Sequence, residues 1–287
     1  MQQIVTLFII LLLFSCKGEE KQIDLLATIH PYFLVLQELA GDRMSVGVLM
    51  PPNASPHTYS PTPSDIRKLQ KARLVVANGL GLEGALLRRL ITMKERTIFA
   101  GPSVYMHRDH HVHEHALDTG DPHLWMNREA LISVAHRIID RLKKVDPPGK
   151  NTYNKNLASF ISSLTRVEQK IRKERKKYRN PGILTFHDAF YHFRKQYGIK
   201  LIAAVTGSPG RQPSSKHLIT IGKKIRKHSL RTIFIEPQLN PKAARIIARE
   251  FGLSVAILDP LGATTGVKTI AEHFERSWHT IKKSFAK

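Results

Sequence analysis

The stretch that decides the fold is "NTYNKNLASFISSLTRVEQKIRKERKKYR", residues 151–179. It holds neither proline nor glycine, and Leu157, Phe160, Ile161, Leu164, Val167 and Ile171 recur at helical spacing. "DPPGKN" (146–151) punctuates its start and "NPG" (180–182) its end. A helix over all of it would run about 43 Å at 1.5 Å per residue. That is long for a helix inside one domain and suits a rod joining two lobes.

Both flanks read the same way. Before the rod, "IDLLAT" (23–28), "SVGVLM" (45–50), "RLVVANG" (73–79) and "TIFAGPSV" (97–104) are short apolar strands. "PYFLVLQELAGD" and "SPTPSDIRKLQKA" between them are helices, the second opened by Pro63, Ser64 and Asp65. After the rod, "GILTF" (182–186), "KLIAAV" (200–205), "TIFIE" (232–236) and "LSVAIL" (253–258) are strands, with "PKAARIIAREFG" and "VKTIAEHFERSWHTIKKSF" as helices. Strand–helix alternation predicts parallel sheets. The expected fold class is therefore α/β, with two parallel-sheet lobes joined by one long connecting helix. The expected boundaries are 1–16 for a leader, 17–149 for the first lobe, 150–179 for the helix and 180–287 for the second lobe.

The N-terminus points to export. The apolar run Ile4–Phe14 is too short to span a bilayer and fits the core of a secretory signal. "LFSC" then sets Ser15 before Cys16, which resembles the lipobox of bacterial lipoproteins, where the cysteine is lipidated and anchors the chain to a membrane. A plain signal peptide and an uncleaved anchor are the alternatives. Cys16 is the one cysteine, so no internal disulfide and no cysteine-based zinc site can form. The net charge of +22 favours anionic partners. Export argues against nucleic acid, and the basic residues lack the interleaved aromatics of a single-strand groove. The densest basic run, residues 166–180, reads as a solvated helix face or as a contact for an anionic membrane.

Four side chains stand where ligands collect in α/β sheets, beyond strand ends and in the following loops. His57 lies in "PPNASPHTYSPTPSD", His123 in "DTGDPHLWMN", His187 in "LTFHDAF" and Asp259 in "ILDPLG". If two lobes face each other, these can meet in one cleft. Imidazole and carboxylate suit zinc, and four protein ligands favour holding a metal over catalysis. Gaps of 66, 64 and 72 residues (123−57, 187−123, 259−187) are unlike a zinc finger. A strand-end histidine is also a common structural hydrogen-bonder.

Together, "SPHTYSPTPSDIRKLQKARLVVANGLGLE", "DPHLWMN", "TFHDAF" and "ILDPLG" resemble the cluster A-I substrate-binding proteins of metal-ion ABC transporters, over roughly residues 23–285. That family includes zinc-uptake receptors and manganese-binding lipoproteins. The resemblance implies two α/β lobes joined by a long helix, with a metal held between them by His57, His123, His187 and Asp259. Histidine at the third place implies zinc rather than manganese or iron, which accords with imidazole being a softer donor than carboxylate. It also implies a partner permease with its cytoplasmic ATPase, and an exported, lipid-anchored location. Asp121 and Asp188 neighbour the implied ligands, either as partners of their imidazoles or as turn and cap residues. Glu236 in "FIEPQ" reads as a salt-bridge or turn residue.

"HRDHHVHEH" (107–115) gathers His107, His110, His111, His113 and His115, a third of the chain's 15 histidines. In zinc receptors of the resembled family a histidine-rich loop occupies this position. It is expected to bind zinc weakly near the cleft. The alternative is a plain solvated loop. Two other function classes stay open. A zinc hydrolase would use three histidines, an open fourth position and Asp188 or Glu236 as base. A surface adhesin would use the basic charge.

Overall fold

In a computed structural model the chain is described at residues 23–101, 120–207, 209 and 213–285. Cys16 and the histidine run 107–115 lie outside the described residues. The first lobe is built from β1 (Leu25–Ala27), α1 (His30–Ala40), β2 (Val46–Val48), α2 (Pro63–Lys71), β3 (Leu74–Ala77), α3 (Leu87–Thr92), β4 (Thr97–Phe99) and α4 (Arg128–Val145). Its sheet has the order β2-β1-β3-β4, and every pairing is parallel. The long helix α5 (Lys150–Arg175) follows. The second lobe holds β5 (Gly182–Thr185), α6 (Tyr191–Tyr197), β6 (Lys200–Ala204), α7 (Ser215–Lys227), β7 (Thr232–Ile235), α8 (Pro241–Glu250), β8 (Ser254–Ile257) and α9 (Ile270–Lys282). Its sheet repeats the pattern as β6-β5-β7-β8, again all parallel.

The local signals act as sequence logic demands. Gly41 ends α1 with φ +58°, a conformation that a side chain resists. At α2, Thr62 Oγ1 accepts from the Asp65 amide while Asp65 accepts from the Thr62 amide, a reciprocal capping box. The structure shortens the rod. Helix α5 has 26 residues and ends at Arg175. Its last fully buried side chain is Ile171, and the next apolar residue, Tyr178, reaches Trp278 only once the chain has turned.

Helix α5 is embedded rather than free. Tyr153, Phe160, Leu164, Val167 and Ile171 pack into one continuous core that includes Leu34 and Leu131 of the first lobe and Phe193 and Trp278 of the second. Cross-lobe hydrogen bonds reinforce it: the Trp125 indole donates to Pro260 O (2.8 Å), and the Ile270 amide donates to Glu38 Oε1 (2.8 Å). The basic run of α5 is partly neutralised at Lys170–Glu275 and Arg172–Glu168, while its Glu174 pairs with Lys282 of α9. No helix among the described residues is long and apolar enough to cross a membrane.

Candidate metal centre

His57, His123 and His187 meet where the two lobes face each other. Each offers a ring nitrogen, and these nitrogens all lie within 4.8 Å of one another. The three rings form a triangle with every centroid separation 5.2 Å. His57 Nε2 and His123 Nε2 are 3.2 Å apart. Two nitrogens bound to one tetrahedral zinc at about 2.0–2.1 Å stand about 3.3 Å apart, so the pair already has the spacing that zinc requires. The cleft around them, about 640 Å³, is also lined by Asp121, Asp188 and Tyr191.

Each histidine is placed by its own local structure. His57 stands at the rim, the least buried of the three, in the loop after β2. That loop is tied to the start of α2 by Tyr59, whose hydroxyl donates to Asp65 Oδ2 at 2.6 Å. His123 is buried in a turn pinned from two sides. Its amide donates to Asp121 Oδ1 (3.0 Å), and Asn78 Nδ2 donates to Pro122 O (2.8 Å). Asn78 is itself fixed from the sheet interior by the Tyr32 hydroxyl and by buried Glu83, which accepts from the Asn78 and Gly79 amides. His187 follows β5 directly and is buried.

Carboxylates orient two of the rings. His123 Nδ1 lies 3.0 Å from Asp121 Oδ1, and His187 Nδ1 lies 2.6 Å from Glu236 Oε1. With Nδ1–H donated to a carboxylate, Nε2 keeps its lone pair for a metal. Burial, then the neighbouring His123 and His187, push the His57 imidazole down to about 3. It therefore stays neutral, the state a metal requires. Burial would raise the Asp121 carboxyl, but the His123 ring and amide N–H groups outweigh it and hold Asp121 below its usual value.

A model of the periplasmic component A of the zinc-uptake complex matches residues 25–284. The chain belongs to that family. Among relatives of the zinc-uptake component A family, the high-affinity zinc uptake system protein ZnuA of Haemophilus ducreyi is 32% identical over 264 residues, covering 84% of this chain and 85% of its own. A solved structure described as ZnuA superposes with a TM-score of 0.77 at 26% identity, covering 92% of this chain and 99% of that one. The laminin-binding protein Lmb of Streptococcus agalactiae, described as bifunctional in adhesion and metal transport, gives 0.78 at 25% identity, covering 92% of this chain and 100% of that one.

The acids of this family member serve different neighbours. Asp259 is buried but is not part of the three-histidine group. Its Oδ1 accepts from the Leu261 amide (2.9 Å) and Gln238 Nε2 (3.0 Å), and its Oδ2 from the Thr264 amide (2.9 Å) and hydroxyl (2.8 Å). Asp259 thus holds the Pro260–Leu261–Gly262 turn. The turn is gripped further by His273 Nε2 on Pro260 O (2.9 Å) and His30 Nδ1 on Leu261 O (3.1 Å). Gly262, at φ +65°, is needed there, because a Cβ would sit 2.8 Å from His273 Nδ1. Asp188 pairs with Arg194 of α6, Arg194 Nε donating to its Oδ1 at 3.0 Å, rather than with an imidazole. Asp121 does both jobs foreseen for it, as turn residue and as ring partner.

Sequence reasoning read Glu236 as a salt-bridge or turn residue without naming its partner. Glu236, and not the adjacent Asp188, supports His187. The signal is the parallel register Thr185↔Phe234 between β5 and β7, which sets residues 187 and 236 at the same offset. His192 of α6 was missed; its Nε2 lies 3.2 Å from Asp121 O and links the second lobe to the His123 turn.

Proposed function

We propose that the chain is an extracytoplasmic receptor that captures Zn2+ with His57, His123 and His187 and delivers it to an ABC-type importer. The observation that carries the reading is the triangle of ring nitrogens within 4.8 Å, two of the rings braced by carboxylates. Three nitrogen donors favour zinc over manganese, which prefers oxygen. The three histidines leave room for a donor at a fourth position, and the Asp259 carboxylate is occupied by the Leu261 and Thr264 amides of its own turn. The zinc is cargo. A hydrolase would need a free base beside that position, but Asp188 is paired with Arg194 and Glu236 with His187. The partner is a permease with a cytoplasmic ATPase. Cys16 anchors the exported chain to a membrane by lipid, and the run 107–115 gathers zinc near the cleft as an auxiliary site.

The test is metal content and competition titration on the full chain, on His187→Ala and on a variant lacking residues 107–115. One tight zinc per chain, lost in His187→Ala and kept without the run, is the expected result. Preference for manganese at the tight site would remove the zinc assignment. Absence of any tight site would remove the receptor reading.

A further inference from the structure

Helices α7 and α8 lie side by side over the outer face of the second sheet. Ile221 and Ile225 of α7 and Ala244, Ile247 and Ala248 of α8 share one apolar cluster with β5, β6 and β7. Gly222 leaves the space that the Phe251 ring occupies just beyond α8. The solvent sides of the two helices therefore form one surface. It carries eight exposed Lys and Arg side chains, five on α7 and three on α8, against one exposed acid, Glu250. None of the eight forms an ion pair with a described residue. The basic run of α5, by contrast, is partly neutralised.

Apolar side chains stand in the middle of this charge. Ile219 is 61% exposed and Ile246 64%. At helical spacing Ile219 lies between Lys216 and Lys223, and Ile246 between Lys242 and Arg249, one turn before and one turn after. The other large exposed hydrophobics among the described residues are on the same side. Val255 and Ile257 of β8 pair in register with Ile233 and Ile235, whose side chains face the α7/α8 layer.

We infer that the α7/α8 face docks on an anionic lipid bilayer. Cations alone would fit any polyanion. Cations that flank a protruding isoleucine one turn away on each side fit a bilayer surface, where the apolar group enters the acyl boundary and the ammonium and guanidinium groups stay among the headgroups. A polysaccharide offers no apolar phase for Ile219 and Ile246. This inference is independent of the metal site.

The experiment is vesicle sedimentation of the chain without its leader, residues 1–16, so that neither an acyl chain nor the apolar run Ile4–Phe14 contributes. Vesicles of phosphatidylcholine are compared with an equal mixture of phosphatidylcholine and phosphatidylglycerol. Binding to the mixed vesicles is expected to be roughly tenfold or more tighter and to fall at high salt. Adding Ile219→Ser and Ile246→Ser should weaken binding to the mixed vesicles roughly tenfold. Adding Lys216→Glu, Lys223→Glu, Lys242→Glu and Arg249→Glu instead should abolish the difference between vesicles. Zinc titration should be unchanged throughout, showing that the fold is intact. Equal binding to both vesicles would overturn the inference. So would a serine variant that binds mixed vesicles like its parent while a soluble sulfated polysaccharide competes for the surface, since the face would then be a general polyanion site.

Discussion

His187 and Glu236 end neighbouring parallel strands at the same offset, and their side chains meet with Nδ1 2.6 Å from Oε1. The contact fixes the ring's orientation and tautomer, and so which nitrogen faces the cleft. Glu236→Gln keeps the shape and removes the charge. It is expected to lower zinc affinity about 10- to 100-fold, the usual effect of losing such a partner, with little change in the fold. Competition against a chelator measures it. Unchanged affinity would reduce Glu236 to a structural contact.

Asp259 separates two accounts of the fourth position. Its carboxylate accepts four hydrogen bonds within the second lobe. Asp259→Asn sets an amide N–H₂ against donors and should cost about 1–3 kcal/mol of stability. Zinc affinity should change far less than in His187→Ala. Thermal unfolding of the metal-free protein and zinc titration, run together, check both halves. A loss of affinity equal to that of His187→Ala would put Asp259 on the metal.

The lobes, their strands and the rod were legible because their signals are local: apolar runs bounded by glycine and proline, and one long helical period. The histidines that converge were legible from strand-end position and motif. What was not legible depends on neighbours distant in sequence. Asp188 sits beside His187 in the chain, yet Arg194, six residues further on in α6, draws it away. Glu236 reaches His187 only because β7 lies next to β5, an order that no single strand encodes. The rod was read too long because its cationic end keeps helical propensity after apolar anchoring has stopped at Ile171.

Glu38 gives the fold a pH dependence of its own. Burial, opposed by the Ile270 amide and aided by nearby Glu272, raises its carboxyl to about 7. Between the ordinary value of 4.5 and about 7 the folded chain holds a proton that the unfolded chain has released. Stability from this group therefore falls as pH rises through that window and is not recovered above it. Glu38→Gln can still accept from the Ile270 amide and carries no charge. It should stabilise the protein by about 2 kcal/mol at pH 8 and by little at pH 4.5. Denaturant unfolding at the two pH values tests this. An equal effect at both would show that packing, not ionisation, is responsible.

The shared core limits how the lobes can move. Helix α5 packs against elements of both lobes, and the Trp125–Pro260 bond joins the residue two places after His123 to the one directly after Asp259. Opening the cleft by rigid rotation would break that core, which close-packed interiors resist. Metal uptake and release should instead proceed through the rim loop that carries His57, the least buried histidine of the three. Solution scattering of metal-free and zinc-loaded protein should then show radii of gyration that agree within about 1 Å. Hydrogen exchange should slow on zinc binding in residues 51–62 and stay unchanged along α5. A large change in dimensions, or protection gained along α5, would mean that the helix is a hinge and that the continuous core separates during the cycle.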